Sequence, residues 1–447
     1  MDKSAPRLLI AGTGSGSGKT TFMLAILQAL VNRGECPGAF KCGPDYIDPM
    51  FYREILGTES GNIDLFFTPP ETAVSLFLRH AKMFNLIEGV MGFYDGLAMD
   101  SCTASSYAVS NALNAPVLLV VNARGMAFST AALVHGFCHL ITPNNIAGVL
   151  LNGPSPSACP ALRATIEREC HIPVFGYLPQ MPECTLESRH LGLITAQEVN
   201  GLKEKMQLLA HQAEKTIDIN GILSLMQTAP PLKAGALQAA PLGHVRIAIA
   251  RDSAFCFYYR ENLDLLSDLG AELIPFSPLH DPVLPACDGL YIGGGYPELY
   301  AEALAKNETM RASVREAVIG GLPTIAECGG YMYLSETIDG HPMASVLKGH
   351  CRNQGKLVRF GYVTLSSERE SLLFAPMDRI RGHEFHHWDS DMPGTDLLAT
   401  KPNQTSWHCA HLSDTLYAGF PHLFFPSNKN AAIRFIAKCL AQKGTHS

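Results

Sequence analysis

Leu8-Leu9-Ile10-Ala11 runs into Gly12-Thr13-Gly14-Ser15-Gly16-Ser17-Gly18-Lys19-Thr20-Thr21, and this stretch decides the fold of the first part of the chain. The apolar run reads as a buried strand. The glycine-rich turn leads into a helical pattern over 20–33, with Phe22, Ile26, Ala29 and Leu30 on one face and Gly34 at the C′ position. Strand, glycine loop and helix in that order is the context a phosphate-binding loop requires. Glycines let backbone N–H groups turn inward around phosphate oxygens, and the helix N-terminus adds the positive end of its dipole. Gly14, Gly16 and Gly18 make the loop, and Thr20 and Thr21 open the helix. Lys19 is expected to reach the β- and γ-phosphates of a nucleotide, and the Thr20 hydroxyl to ligate Mg2+. The loop is one residue longer from Gly12 than the usual spacing.

Further strand-like runs at 84–88, 116–121, 146–151, 245–250, 273–276, 289–292 and 323–326 alternate with helical patterns. That alternation predicts an α/β protein with mainly parallel sheets. A Pro-, Ala- and Gly-rich segment at 228–244 has no useful period and reads as a linker. Two domains are therefore expected, 1–227 and 245–447.

Composition narrows the class. The 447 residues are 47% hydrophobic and 17% charged, enough apolar side chain for large cores and unlike a disordered chain. With 34 Lys+Arg against 41 Asp+Glu the net charge is -7, which argues against a nucleic-acid partner. No apolar run is long enough for a signal peptide or a membrane span, so a cytoplasmic location is expected. The 13 cysteines include no C-x-x-C pair, which argues against a disulfide framework or a structural zinc site.

Two acidic clusters follow the phosphate loop. Lys41-Cys42-Gly43-Pro44-Asp45-Tyr46-Ile47-Asp48-Pro49 reads as a loop with two carboxylates. Leu86-Ile87-Glu88-Gly89-Val90-Met91-Gly92-Phe93-Tyr94-Asp95-Gly96 starts at the end of a strand, where ligands gather in open α/β sheets. The hard oxygens of Glu88 suit Mg2+ bound to a nucleotide. Asp45, Asp48 and Asp95 suit either a metal or the orientation of an acceptor, and Asp-Pro and Asp-Gly are equally at home in plain turns.

The second domain carries Pro323-Thr324-Ile325-Ala326-Glu327-Cys328-Gly329-Gly330-Tyr331-Met332-Tyr333-Leu334, a strand, a tight turn and a helix with Cys328 at the turn. This resembles a nucleophile elbow, although G-x-S-x-G itself is absent. A helix N-terminus stabilises a thiolate, so a lowered pKa is expected at Cys328. The Gly329 N–H is expected to form one half of an oxyanion hole, and the Gly293-Gly294-Gly295 turn, through Gly294, the other. A cysteine nucleophile needs a base. His341, His350, His383, His386, His387, His408, His411 and His422 all follow Cys328, and spacing alone does not choose among them.

Together, KCGPDYIDP at 41–49, LIEGVMGFYDG at 86–96, GGGYPE at 293–298, AECGGYMYL at 326–334 and GHEFH at 382–386 resemble the cobyrinic acid a,c-diamide synthase family across essentially the whole chain. The first domain also resembles dethiobiotin synthetase, and the second the class I glutamine amidotransferases. The resemblance implies ATP-dependent amidation of the a and c carboxylates of cobyrinate, with glutamine or ammonia as nitrogen donor, in vitamin B12 synthesis. It implies Cys328 as nucleophile and His422 as its base. Glu88 with Thr20, joined by Asp45, would hold Mg2+, while Asp48 and Asp95 would order the acceptor carboxylate. Triad amidotransferases carry Glu two residues after the histidine; Phe424 stands there, so a Cys–His dyad is expected. Tyr52 stands where the family often has His. Hydrogenobyrinate and nickel-sirohydrochlorin are alternative acceptors on the same motifs. Cobyric acid synthase is disfavoured, because KCGPDYIDP replaces its Lys-Pro-Gln-Asn motif. A P-loop switch ATPase with an inert second domain is also disfavoured: the second lysine of such ATPases falls at Gly14.

Overall fold

The structure, a computed structural model, describes residues 2–57, 60–184, 201–235 and 239–443. The chain divides into two compact units, Met1–Leu237 and Gln238–Ser447.

The first unit is built on seven parallel strands: β1 (Arg7–Gly12), β2 (Gly38–Cys42), β3 (Ser60–Ile63), β4 (Asn85–Glu88), β5 (Val117–Asn122), β6 (Ile146–Asn152) and β7 (Val174–Leu178). Their spatial order is β3-β2-β4-β1-β5-β6-β7. The apolar runs of β1, β4 and β5 are buried on both faces, as a parallel sheet covered by helices demands. Helix α1 (Lys19–Asn32) follows β1 directly. The helical period exposes one face, yet Phe22 through Leu30 are buried without a break. The reason is a second cover: α1 packs on the sheet and also against helix α3 (Leu202–Thr216). Gly34, at φ 84, ends α1 as expected, and the Glu35 N–H bonds back to the Leu30 carbonyl.

The 41–49 stretch is not all loop: α2 (Ile47–Leu56) starts inside it and puts Asp48 in its first turn, where a carboxylate suits the helix dipole. The 228–244 stretch is not a free linker over its first half. Leu232–Lys233 pairs with Asp2–Lys3, and the fully buried Arg7 guanidinium donates to the Pro230 carbonyl at 2.8 Å as well as to Ala5, Leu113 and Asn114 carbonyls. A buried cation needs several acceptors, and the segment supplies one of them. At its far end, Leu242 N–H bonds to the Leu269 carbonyl of the second unit. Residues 236–238 lie outside the described residues.

The second unit has strands β8 (Val245–Ala250), β9 (Ala271–Phe276), β10 (Gly289–Ile292) and β11 (Thr324–Glu327), and a short helix α4 (Gly329–Leu334) after β11. Beyond them come β12 (Arg359–Ser366), β13 (Arg379–His386), β14 (Leu397–Thr400), β15 (Ser406–Cys409), β16 (His411–Leu412), β17 (Leu416–Gly419) and β18 (His422–Leu423). The central sheet runs β9-β8-β10-β11-β17-β16 and is parallel except at its β16 edge. A second sheet, β15-β14-β12-β13-β18, is antiparallel throughout and departs from the mainly parallel expectation. It delivers His422 to the end of the central sheet.

No described helix is long and apolar enough to cross a membrane. All 13 cysteines are free thiols.

Candidate active site

In the first unit the carboxyl ends of β1, β2 and β4 meet. Register sets Ile10 opposite Glu88 on one side and Lys41 opposite Glu88 on the other. The loop after β1 turns through Gly16 at φ 72 and Gly18 at φ 106, conformations that glycine adopts without strain. Lys19 folds back over this loop, donating to the Gly14 carbonyl at 3.1 Å and the Met91 carbonyl at 2.5 Å. Burial and the neighbouring Lys41 ammonium bring its pKa down to about 8, against the pull of Glu88, Asp48 and Asp95. Asn152, on β6, donates to the Ser17 carbonyl at 2.9 Å and so braces the loop. No contact of the Thr21 side chain enters this arrangement.

Glu88 is the hub. Its Oε1 accepts from the Thr20 hydroxyl at 2.6 Å and from Lys41 Nζ at 2.9 Å, and its Oε2 accepts from the Tyr52 hydroxyl. Burial raises its pKa, while Lys41 and Thr20 hold it down. Lys41 is also 2.6 Å from Asp48. Burial alone would strip its proton; Asp48, Glu88 and Asp45 reverse that and keep it a cation. Asp45, whose carboxylate accepts from the Ile47 N–H at 2.8 Å, is raised to about 7 by burial and by Asp48. Thr20, Asp45 and Asp48, all half-buried, therefore belong to one cluster around the buried Glu88. Asp95 stands apart, exposed, accepting from the Gly92 N–H at 2.8 Å as a turn aspartate does. The sequence alone assigns no role to Lys41 or Tyr52. Their signals were a lysine at the end of an apolar strand and the tyrosine that departs from the family's histidine.

The donors present suit Mg2+, which takes hard oxygens and keeps several water or phosphate ligands, so that one carboxylate and one hydroxyl from the protein suffice. Thr20 and Glu88, already in contact, are that pair.

In the second unit Cys328 sits between β11 and α4 with φ 49 and ψ -103, a strained geometry for a residue with a Cβ. Its N–H is tied to the Gly419 carbonyl at 2.8 Å. The glycines after it are steric necessities: a Cβ at Gly330 would lie 2.1 Å from the Ile292 carbonyl oxygen. The expected low thiol pKa is corrected. Burial pushes Cys328 well above the ordinary thiol range, and the Glu298, Glu384 and Glu327 carboxylates push the same way, against the Gly329 N–H. The six-residue helix α4 does not outweigh that desolvation.

His422 is buried and lies against the triple-glycine turn: a Cβ at Gly294 would come within 2.3 Å of its Cε1. The Gly293 N–H is bonded to the Tyr258 hydroxyl at 2.8 Å; Gly294 and Gly295 pair with Phe257 and Phe255, with Gly294 against the His422 ring and the Gly295 nitrogen near Gly329. Glu327 Oε2 is 3.5 Å from His422 Nδ1. The expected dyad thus has a carboxylate beside it. Other histidines have partners elsewhere: His386 Nδ1 contacts the Trp388 carbonyl at 2.6 Å, His411 Nε2 the Met392 carbonyl at 2.9 Å, and His350 Nδ1 the Thr337 hydroxyl at 3.0 Å. His383, across the strand pair from His422, is held neutral, its pKa near 3, by burial and by His422.

Comparison with known proteins agrees with both halves. Residues 8–194 match the CobQ/CobB/MinD/ParA nucleotide binding domain, and residues 246–429 the CobB/CobQ-like glutamine amidotransferase domain. The chain is 38% identical over 443 residues to the cobyrinate a,c-diamide synthase of Caldanaerobacter subterraneus subsp. tengcongensis, covering 96% of this chain and 98% of the relative. It is 39% identical to that of Priestia megaterium over 98% of both chains, and 40% identical to that of Salmonella typhimurium over 85% of both. At such identity over nearly the full length of its relatives, the chain belongs to the cobyrinate a,c-diamide synthase family.

Proposed function

We propose that this chain converts cobyrinate to its a,c-diamide, using glutamine or free ammonia as nitrogen donor and ATP to activate each carboxylate, in the cytoplasm. The observation that carries the reading is the coexistence, in one chain of this family, of a phosphate loop bonded to a buried acidic hub and a strained cysteine elbow beside a buried histidine.

The chemistry requires both. A carboxylate is a poor electrophile because its leaving group would be oxide. Transfer of the γ-phosphoryl group of ATP gives an acyl phosphate, and ammonia then displaces phosphate. Lys19 neutralises charge on the transferring group, and a polyphosphate beside it favours its ammonium form. Thr20 and Glu88, with Asp45, would hold Mg2+, which when bound supplies further charge neutralisation. Lys41 and Tyr52 keep the Glu88 carboxylate in place. Asp48 and Asp95 are assigned to the acceptor carboxylate. In the second unit Cys328 attacks the glutamine side-chain carbonyl, Gly329 and Gly294 donate to the oxyanion, and His422 takes the thiol proton and returns it to departing ammonia. Because the thiol is the resting form, proton transfer to His422 and attack on glutamine are coupled.

The test offers purified enzyme, MgATP and glutamine with cobyrinate, hydrogenobyrinate and nickel-sirohydrochlorin in parallel. Cobyrinate is expected to give the highest kcat/KM, with two amides added. Faster turnover of either rival would replace the acceptor, and no amidation of any would refute the reading.

A narrower expectation concerns Gly294. A methyl there would occupy the place of the His422 ring edge. Gly294→Ala is expected to lower glutamine-dependent turnover by about 10²-fold or more, the scale of losing an oxyanion donor or a base. Turnover close to wild type, measured as glutamate release, would remove Gly294 from the site.

A further inference from the structure

The family's expected dyad lacks the carboxylate that triad amidotransferases place two residues after the histidine, since Phe424 stands there. A carboxylate nevertheless approaches the His422 ring from another part of the chain. Glu327 ends β11, one residue before the nucleophile, and is 1% exposed; His422 is 3% exposed. Glu327 Oε2 lies 3.5 Å from His422 Nδ1. Its Oε1 accepts from the Tyr291 hydroxyl at 3.1 Å and from the Leu423 N–H at 3.2 Å. The second of these ties the carboxylate to the backbone of the residue next to the histidine, so the two move together. Register adds to this: Glu327 pairs with Gly419 on β17, and the Gly419 carbonyl also accepts from the Cys328 N–H. Nucleophile, histidine and carboxylate are thus fixed by one strand pair and its end.

We infer that Glu327 is the positioning residue for His422, a carboxylate that fixes the histidine's tautomer and stabilises its cationic form, supplied from the position before the nucleophile. This rests on the glutamine-dependent reading above and deepens it. With Nδ1–H directed at Glu327, Nε2 carries the lone pair that takes the Cys328 proton. Sulfur then bonds to the amide carbon of glutamine, and the carbonyl pair moves to the oxygen. The imidazolium proton passes to nitrogen as the C–N bond breaks, giving ammonia and a thioester. Water, deprotonated by the same Nε2, releases glutamate and returns the proton to sulfur. Glu327 exchanges no proton in these steps and contributes only while Nδ1 keeps its own. The other titratable groups around the ring are His383 on the paired strand, held neutral by burial, the Cys328 thiol, and the Glu298 and Glu384 carboxylates that act on that thiol.

The test measures glutamate release by the full-length enzyme with L-glutamine, MgATP and cobyrinate, as kcat and KM across pH. Glu327→Gln is expected to lower kcat by about 10²-fold while KM for glutamine stays within about threefold, the pattern of an interaction that matters in the transition state. The acid limb of kcat/KM should move to lower pH, because an imidazolium without its carboxylate loses its proton more readily. Glu327→Asp is expected to recover at least about tenfold of the lost rate. Wild-type kcat in Glu327→Gln, an unmoved acid limb, or a rise in KM matching the fall in kcat would overturn the inference. A second measurement needs no Glu327 variant: nitrogen-15 histidine spectra of the wild type, with His422 assigned by comparison with His422→Ala. Protonated Nδ1 and unprotonated Nε2 at neutral pH are expected; the reverse tautomer would overturn the proposal. If the wild type itself released no glutamate, the reading beneath would fall too, and that outcome is distinct from a wild-type-like variant.

Discussion

Cys328→Ser abolishes glutamine-dependent amidation, by more than about 10⁴-fold, and leaves ammonia-dependent synthesis at high pH intact; that is the expected result of losing a nucleophile that serves only nitrogen delivery. The thiol sits at a positive-φ elbow in a unit of its own fold, while the phosphate loop belongs to the other unit. Serine keeps the shape and the strain and removes the sulfur chemistry. Buried with three carboxylates acting on it, the thiol is protonated at rest, so an alkoxide at the same place is less accessible still. His422→Ala should show the same selectivity with a loss of about 10²–10⁴-fold, whereas His411→Ala and His387→Ala should lose much less. Parallel assays with glutamine and with ammonium salts check all four. Equal loss of both activities in a folded Cys328→Ser enzyme would mean that Cys328 is no dedicated glutaminase nucleophile. Normal glutamine use by His422→Ala would move the base elsewhere, with His386 next.

What the sequence made legible is what is local in the chain. The phosphate loop, α1 with its Gly34 stop, and the cysteine elbow are each written in about a dozen consecutive residues, because glycine spacing and apolar period act over one or two turns. The Glu327–His422 approach is not of that kind. It requires two strands, distant in sequence, to end at one level, and no period records it. The antiparallel strands from 359 to 423 are hard to read for a related reason: Ser406–Cys409 is too short to show alternation, and in the eight-residue strands Arg359–Ser366 and Arg379–His386 charged and polar side chains interrupt the apolar pattern. The thiol pKa departs from expectation because a helix N-terminus can be seen in a sequence and desolvation cannot. In the first unit, the hub around Glu88 was half visible. Glu88 and Thr20 were found by motif, but Lys41 and Tyr52 enter through strand register and helix packing.

Lys19→Ala, Thr20→Ala and Glu88→Gln are each expected to abolish amidation from glutamine and from ammonia alike, because both nitrogen sources need the same acyl phosphate. Groups that neutralise charge at a transferring phosphoryl commonly lower the barrier by several kcal/mol, so losses of about 10²-fold or more are expected. Glu88→Gln is the most telling of the three. The amide is nearly isosteric, but its nitrogen cannot accept from Thr20 or Tyr52, and Lys41 loses one of the two carboxylates within 3 Å that keep its buried ammonium charged. The variant should therefore lose both metal affinity and the order of the cluster. Asp48→Asn and Asp95→Asn are expected to keep nucleotide binding and lose turnover, if they serve the acceptor. The two differ in setting: Asp48 shares Lys41 with Glu88, whereas Asp95 is exposed and bonded to a turn N–H. Nucleotide affinity and ammonia-dependent turnover, measured for all five variants, separate the roles. Normal ammonia-dependent synthesis by Lys19→Ala would remove ATP activation from the mechanism. Weakened MgATP binding as the chief defect of Asp48→Asn would place that carboxylate with Glu88 in the metal shell, the outcome its shared lysine would then explain.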